Sequence, residues 1–133
     1  MSARGAYLDT SAFVKLIVVE PESASLRQAL IGWPDRASST LLRTETVRAL
    51  RCSGNDQLIG RARRLFAGVH LIRLDEPLLD RSGDLPPAGL PALDAVHLAA
   101  ALSMGPDLGA VFTYDERLSE AALAQGLRVA SPS

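Results

Sequence analysis

Short apolar runs that end in an aspartate are the feature that most constrains the fold of this chain. Ala6-Tyr7-Leu8 ends at Asp9, and the run from 110 to 114 ends at Asp115. Short buried runs that stop at turn-forming residues are typical of strands in a parallel sheet. A carboxylate directly after such a run lies at the carboxyl end of its strand, which is where open α/β sheets bind ligands. We therefore expect the two aspartates to lie close together, although they are far apart in the sequence.

Helical patterns separate the apolar runs. The first run is followed by a segment, 12–19, that is helical or mixed, and Pro21 suits the first position of a second helix. A loop rich in proline and glycine is expected at 84–91. The predicted strands are 6–8, 36–39, 69–74, 109–113 and 127–130, and the remaining predicted helices are 22–31, 40–51, 57–67, 91–104 and 116–125.

This alternation predicts an α/β fold, an α/β/α sandwich around a mainly parallel central sheet of about four or five short strands. The 133 residues, with 47% hydrophobic and 22% charged, suit one globular core, and no linker or repeat divides them. We expect a single domain over residues 1–133.

Two further acids occur among apolar neighbours. Asp94 lies near the start of an Ala- and Leu-rich helix, and Glu45 lies in the helix predicted at 40–51. Each of the four acids has an ordinary explanation. Asp115 could cap a helix, Asp94 could favour a helix N-terminus, Asp9 could be a turn residue, and Glu45 could pair with a nearby arginine. The occurrence of all four acids among apolar neighbours favours one shared site. Carboxylates that converge in such a site repel one another unless a cation is bound between them.

An acid-only site without histidine or cysteine ligands matches Mg²⁺ or Mn²⁺, which prefer oxygen. One or two such ions could activate water and stabilise a leaving oxygen in phosphodiester cleavage. Thr10, Ser11 and Thr113 place hydroxyls beside two of the acids, where they could orient a carboxylate or cap a helix.

The other chemically active residue types give weaker signals. The single Cys52 cannot form an intrachain disulfide, and we interpret it as a small helix-packing residue. His97, in the Ala-rich helix, is interpreted as a hydrogen-bonded structural histidine rather than a ligand or general base.

Arginines cluster in the middle of the chain although the net charge is only −1. The cluster is either a solvated helical face or a stripe that contacts phosphate. Arg43, Arg48 and Arg51 are the candidates for RNA or partner contact; the other members are Arg36, Arg61, Arg63 and Arg64.

No apolar stretch approaches the length of a membrane span, and residues 1–5 lack the pattern of a signal peptide. We therefore expect a cytoplasmic protein.

Four segments in this order resemble the PIN-domain family, specifically the VapC-type toxin ribonucleases of bacterial VapBC toxin–antitoxin pairs. The segments are Tyr7-Leu8-Asp9-Thr10-Ser11-Ala12, Arg43-Thr44-Glu45 with Val47 and Ala49-Leu50-Arg51, the run 93–101 around Asp94, and the run 112–118 around Asp115. Their order, their spacing and the length of the chain all fit, so the resemblance covers essentially the whole chain.

The resemblance implies a PIN-like fold and a metal-dependent endoribonuclease whose Mg²⁺ or Mn²⁺ is held by Asp9, Glu45, Asp94 and Asp115, with Ser11 and Thr113 in support. It also implies an RNA substrate, often tRNA or rRNA, growth arrest, a cognate VapB-type antitoxin, and a homodimer or higher toxin–antitoxin assembly.

Three other functions are alternatives to a toxin ribonuclease. A housekeeping RNA-processing PIN nuclease would have no antitoxin, and a non-catalytic PIN-fold module would only bind or regulate. A phosphotransfer domain is disfavoured, because it needs an Asp-x-Asp motif or a late lysine, whereas Lys15 is the only lysine.

Overall fold

The structure, a computed structural model, describes residues 5–133 and contains a five-stranded, entirely parallel sheet. The predicted α/β/α fold with a parallel central sheet is therefore confirmed. In spatial order the sheet runs β3-β2-β1-β4-β5. The strands are β1 (Gly5–Leu8), β2 (Asp35–Ser39), β3 (His70–Ile72), β4 (Leu108–Phe112) and β5 (Val129–Ala130).

Within residues 5–133, seven α-helices connect the strands and cover both faces of the sheet. They are α1 (Thr10–Val14), α2 (Ser23–Leu30), α3 (Leu42–Cys52), α4 (Ile59–Leu65), α5 (Glu76–Asp84), α6 (Ala92–Ser103) and α7 (Glu116–Ala124).

The chain order reverses at the centre of the sheet. From β1 the strands proceed outward through β2 to β3, and then β4 returns to pair with the other edge of β1. Tyr7 is level with Val111, and Leu8 is level with Phe112, so β1 and β4 end side by side. The residues that follow these two strands flank the crevice at the switch point of the sheet, the usual ligand position in such folds.

Alternate residues of the central strands pack on opposite faces of the sheet. Leu8 and Phe112 lie with Leu26 and Leu30 of α2 in one cluster. Tyr7 and Val111 face the other way, towards the alanines of α6. This two-residue period buries all of β1 and the last three residues of β4, and it fixes the direction of Tyr7 towards α6.

Several predicted bounds need correction. The first helix, α1, is shorter than predicted: it ends at Val14 rather than extending to residue 19. Pro21 precedes α2, which begins at Ser23. The helix predicted at 57–67 consists of α4 between two 3₁₀ turns. The strands near 69–74 and 127–130 are shorter than predicted, since edge strands pair on one side only.

One helix was not predicted at all. Helix α5 begins after Asp75, whose side chain accepts a hydrogen bond from the Leu78 backbone, and it has a proline in its first turn. Both are ordinary start signals. Little apolar periodicity accompanies these signals in the sequence, because Leu78 and Leu79 are the only large apolar residues of the helix.

Cys52 is exposed at the end of α3, so its interpretation as a packing residue was wrong. Within residues 5–133, no helix is both long enough and apolar enough to cross a membrane. The expectation that the chain has no signal peptide rests mostly on residues 1–4, which lie outside the described part of the chain.

Candidate metal centre at the switch point of the sheet

Asp9 follows β1 directly and is almost fully buried, with 4% of its surface exposed. Its Oδ1 accepts hydrogen bonds from the Ser11 hydroxyl (2.7 Å) and from the Ala12 backbone (3.0 Å), which caps α1. Its Oδ2 accepts one from the Thr113 hydroxyl at 2.6 Å. Burial raises the pKa of Asp9, and the bonds from Thr113 and Ser11 oppose that rise.

Asp115 caps α7 immediately beyond β4. Its Oδ1 accepts from the backbone N–H groups of Arg117 (2.9 Å) and Leu118 (3.2 Å), while its own N–H donates to the Thr113 hydroxyl at 3.0 Å. Thr113 therefore connects the two acids that follow the central strands. Ser11 adds a second link, because its oxygen accepts from the Tyr114 backbone at 2.9 Å.

Asp94 lies in the first turn of α6 and is half-buried. Burial raises its pKa, and repulsion from Asp115 and from Asp9 raises it further, against the attraction of His97 and Arg117. Helix α6 directly precedes β4 of the parallel sheet, so it begins at the edge where β1 and β4 end. The structure thus places Asp9, Asp94 and Asp115 at one edge of the sheet.

Glu45 lies in the first turn of α3, and its hydrogen bonds connect it to α1, which follows Asp9, and to α6, which carries Asp94. Its Oε1 accepts hydrogen bonds from the Thr10 hydroxyl and from His97 Nε2, both at 2.6 Å. Burial acts to raise the pKa of Glu45, but these two bonds outweigh it, so the pKa is lowered. The alternative in which Glu45 pairs with Arg43 or Arg48 is not formed in the described chain.

The four acids do not form a closed cage. Within residues 5–133, no group of three or more acidic, histidine or cysteine side chains is arranged to hold a metal ion as it stands. Mutual repulsion of carboxylates in the absence of a cation acts to keep such groups apart. The metal role of the four acids thus stays a prediction.

The donor set nevertheless fits Mg²⁺ or Mn²⁺, because Asp94, Asp115 and Glu45 each retain at least one carboxylate oxygen that accepts no hydrogen bond from the described residues. In the described part of the chain, Asp115 Oδ2 and Glu45 Oε2 accept no hydrogen bond, and Asp94 accepts none at all. On both Asp115 and Glu45, the protein's donors converge on one oxygen and leave the other available.

Two residues that sequence reasoning did not assign to the site also contribute. His97 connects Glu45 to the buried Tyr7, whose hydroxyl lies 2.7 Å from His97 Nδ1. The sequence predicts His97 as a hydrogen-bonded structural histidine, and its two hydrogen bonds agree with that prediction. Its link to the site could have been found from its spacing, because His97 lies three residues after Asp94 on α6 and residues three apart share a helix face.

The candidate arginines of α3 are exposed, and no arginine in residues 5–133 lies within 4.0 Å of a carboxylate. Arg43 and Arg48 line a cleft of about 350 Å³ together with Arg63 of α4. The Arg43 guanidinium also lies over the Phe66 ring, 5.1 Å from its centroid. Arg51 is not among the residues that line this cleft.

Comparison with known proteins agrees with the fold. The family model described as PIN domain matches residues 6–123. The chain is 46% identical to Ribonuclease VapC46 of Mycobacterium tuberculosis (strain ATCC 25618 / H37Rv), over 96% of this chain and 97% of that protein. It is 40% identical to Ribonuclease VapC47 of the same species (strain CDC 1551 / Oshkosh), over 95% and 96% respectively.

A solved structure is similar in fold. The crystal structure of Mycobacterium tuberculosis VapC20, described as a Sarcin-Ricin loop cleaving toxin, superimposes with a TM-score of 0.71 at 17% sequence identity, covering 87% of this chain and 94% of that one. The predicted family resemblance is confirmed by the matches to the two more similar relatives. The chain belongs to the PIN-domain family and, within it, to the VapC ribonucleases.

Proposed function

We propose that this chain is a Mg²⁺- or Mn²⁺-dependent endoribonuclease toxin of a type II toxin–antitoxin pair, with residues 1–133 forming a single PIN domain. Asp9, Glu45, Asp94 and Asp115 hold the cation, and Ser11 and Thr113 orient Asp9. RNA is the substrate, with tRNA or rRNA as the expected class. The names of VapC46 and VapC47 support the ribonuclease activity.

The observation that carries this proposal is that Asp9 and Asp115 follow the adjacent ends of β1 and β4 and are joined through the Thr113 hydroxyl, while Asp94 lies in the first turn of α6. Burial, together with repulsion from Asp115 and Asp9, raises the pKa of Asp94. A fold gains nothing from placing carboxylates where they repel. The arrangement becomes favourable when a divalent cation neutralises them.

A bound Mg²⁺ or Mn²⁺ would lower the pKa of a water and stabilise the charge that develops on phosphate oxygens. The protein's own part is to hold the carboxylates in place. Thr113 and Ser11 fix both oxygens of Asp9, and the α7 backbone fixes one oxygen of Asp115. The exposed arginines beside α3 can bind RNA phosphates bidentately, since no carboxylate of the described chain neutralises them.

Cleavage of total bacterial RNA by the purified, antitoxin-free protein tests the proposal. With Mg²⁺ or Mn²⁺ we expect a small number of discrete fragments, whose ends identify the target. With EDTA we expect none. Asp94→Asn should abolish cleavage, whereas Asp80→Asn, which changes an exposed aspartate of α5, should leave it unchanged.

Cleavage that continues in EDTA, or equal cleavage by Asp94→Asn, would contradict the metal-site assignment. If the metal-loaded parental protein cleaved no RNA in the total pool, the non-catalytic binding module would become the better description.

We further propose a VapB-type antitoxin that blocks this site, a toxin homodimer, and a cytoplasmic location. The product of the adjacent gene should co-purify with the chain and inhibit its cleavage of RNA. Light scattering of the toxin alone should give the mass of two 14.1 kDa chains. An adjacent product that neither binds nor inhibits would favour the housekeeping nuclease.

A further inference from the structure

A continuous hydrogen-bonded chain leads from the sheet core to the candidate metal centre. The Tyr7 hydroxyl lies 2.7 Å from His97 Nδ1, and His97 Nε2 lies 2.6 Å from Glu45 Oε1. Tyr7 is completely buried, and His97 is only 3% exposed. The two rings meet edge to face, with centroids 5.8 Å apart and planes at 74°. Both rings are therefore held by packing in addition to their hydrogen bonds.

The order of donors along this chain follows from its chemistry. A carboxylate only accepts hydrogen bonds, so the proton between His97 and Glu45 belongs to Nε2. An ordinary phenol has a pKa of about 10, so the Tyr7 hydroxyl carries its proton at neutral pH and can donate it to Nδ1. Tyr7 thereby selects the tautomer of His97 that donates to Glu45.

Both donors to Glu45 act on the same oxygen. Thr10 and His97 each reach Oε1 at 2.6 Å, while no residue from 5 to 133 donates to Oε2. Three elements are therefore used to hold one carboxylate: α1 through Thr10, α6 through His97 and, behind His97, β1 through Tyr7. A glutamate has three rotatable side-chain bonds, so fixing Oε1 strongly restricts where Oε2 can point.

We propose that His97, with its tautomer set by Tyr7, is a positioning residue that presents Glu45 Oε2 to the divalent cation. This inference rests on the proposed metal-dependent function, and it adds His97 and Tyr7 to the residues on which the metal centre depends. His97 is not itself a ligand in this assignment, because both of its ring nitrogens are already engaged. Hydrogen-bonded partners of metal-binding carboxylates commonly affect metal affinity by about 10- to 100-fold.

The test measures Mn²⁺ affinity, from the signal of free Mn²⁺ in electron paramagnetic resonance, for the parental chain and three variants. His97→Leu removes the donor, and we expect its Mn²⁺ dissociation constant to rise by about 10-fold or more. His97→Gln can still donate from its amide to Glu45 and should recover a large part of the loss. Tyr7→Phe keeps the ring packing but removes the hydroxyl, so an intermediate loss is expected.

A purely structural role would lower the melting temperature of His97→Leu without this ordering of affinities. Far-ultraviolet circular dichroism therefore accompanies each measurement. Parental affinity in folded His97→Leu would overturn the positioning role. If His97→Leu does not fold, Tyr7→Phe decides the matter, and parental affinity in folded Tyr7→Phe would then overturn it.

Nitrogen NMR of the His97 ring provides a readout that needs no metal. We expect a proton on Nε2 of the parental protein, whereas a neutral ring protonated only on Nδ1 would contradict the proposed order of donors. Asp94→Asn separates this inference from the proposed function. If the parental chain binds Mn²⁺ no better than Asp94→Asn does, the metal centre itself is wrong. If the parental chain binds and the His97 variants bind equally well, only the positioning role is overturned.

Discussion

Thr113 joins the two acids that follow the central strands, since its hydroxyl donates to Asp9 Oδ2 and accepts from the Asp115 backbone. Thr113→Val keeps the shape and removes both bonds. We expect a loss of about 1–3 kcal/mol in the free energy of unfolding, because buried polar groups are left without partners. Urea denaturation measures this loss, and Mn²⁺ affinity should fall with it.

Thr113→Ser is the matched control, because it keeps the hydroxyl and removes one methyl group, a change of about 1 kcal/mol. The role given to the hydroxyl would be contradicted if the valine variant were as stable as the serine variant and bound Mn²⁺ equally well.

The buried carboxyl of Asp9 predicts a stability that depends on pH. Burial raises its pKa in the folded chain, so folding favours the protonated form. Such a group stabilises the fold below its unfolded pKa of about 4, and that contribution is lost as pH rises through the folded value. At neutral pH, Asp9→Asn should therefore melt higher than the parental chain without metal.

The advantage of Asp9→Asn should shrink as pH falls towards 4, which thermal melts in EDTA over a pH series would measure. Asp80→Asn, an exposed change on α5, should show no such trend. A variant that melts lower than the parental chain at neutral pH would contradict the conclusion that burial dominates at Asp9.

The sequence made the positions of the four acids predictable because each lies at a strand end or in the first turn of a helix. It could not identify the chain from Tyr7 through His97 to Glu45. That chain joins β1, α6 and α3, and its partners are 90 and 52 positions apart in sequence. Which face Tyr7 takes depends on strand register, and only the folded sheet fixes that register.

Helix α5 gives a prediction at the scale of an element. Asp75 caps it through a 3.0 Å bond from the Leu78 backbone to Oδ1. Asp75→Ala should lower the free energy of unfolding by about 1 kcal/mol, because a helix donor loses its partner. Chemical denaturation measures the change, while Mn²⁺ affinity should not move. Asp75→Asn retains the cap and serves as the control; equal stability of the alanine and asparagine variants would contradict the capping role.

The exposed face of α3 gives a second prediction at this scale. If Arg43 and Arg48 contact RNA phosphates from the cleft they share with Arg63, changing either to alanine should weaken RNA binding and reduce its salt slope by about 1. The salt slope can be measured with each arginine change introduced into the Asp94→Asn variant, which should bind RNA without cleaving it. Arg51→Ala tests the third candidate, which lies outside this cleft.

Arg81→Ala, an exposed arginine of α5, is the matched control and should leave the slope unchanged. If the slopes of Arg43→Ala and Arg48→Ala equalled that of Arg81→Ala, α3 would be a solvated face or a surface for the antitoxin.

At the scale of the whole molecule, alternation of strands and helices was enough to predict a parallel sheet. The strand order was not predicted, because several orders satisfy the same alternation. The observed order places the reversal between β1 and β4, and this reversal creates the crevice that Asp9 and Asp115 flank. The proposed function therefore depends on the strand order of the sheet, which cannot be predicted from any one segment of the sequence.

The most direct test of the metal centre is anomalous scattering from crystals grown with Mn²⁺. The proposal predicts a peak bounded by Asp9, Asp94 and Asp115, with Glu45 Oε2 turned towards it, at the edge of the sheet where β1 and β4 end. Crystals of Asp94→Asn grown in the same way should lose or weaken the peak. A well-ordered site without any peak at saturating Mn²⁺, or a peak held by other residues, would contradict the assignment of these four acids.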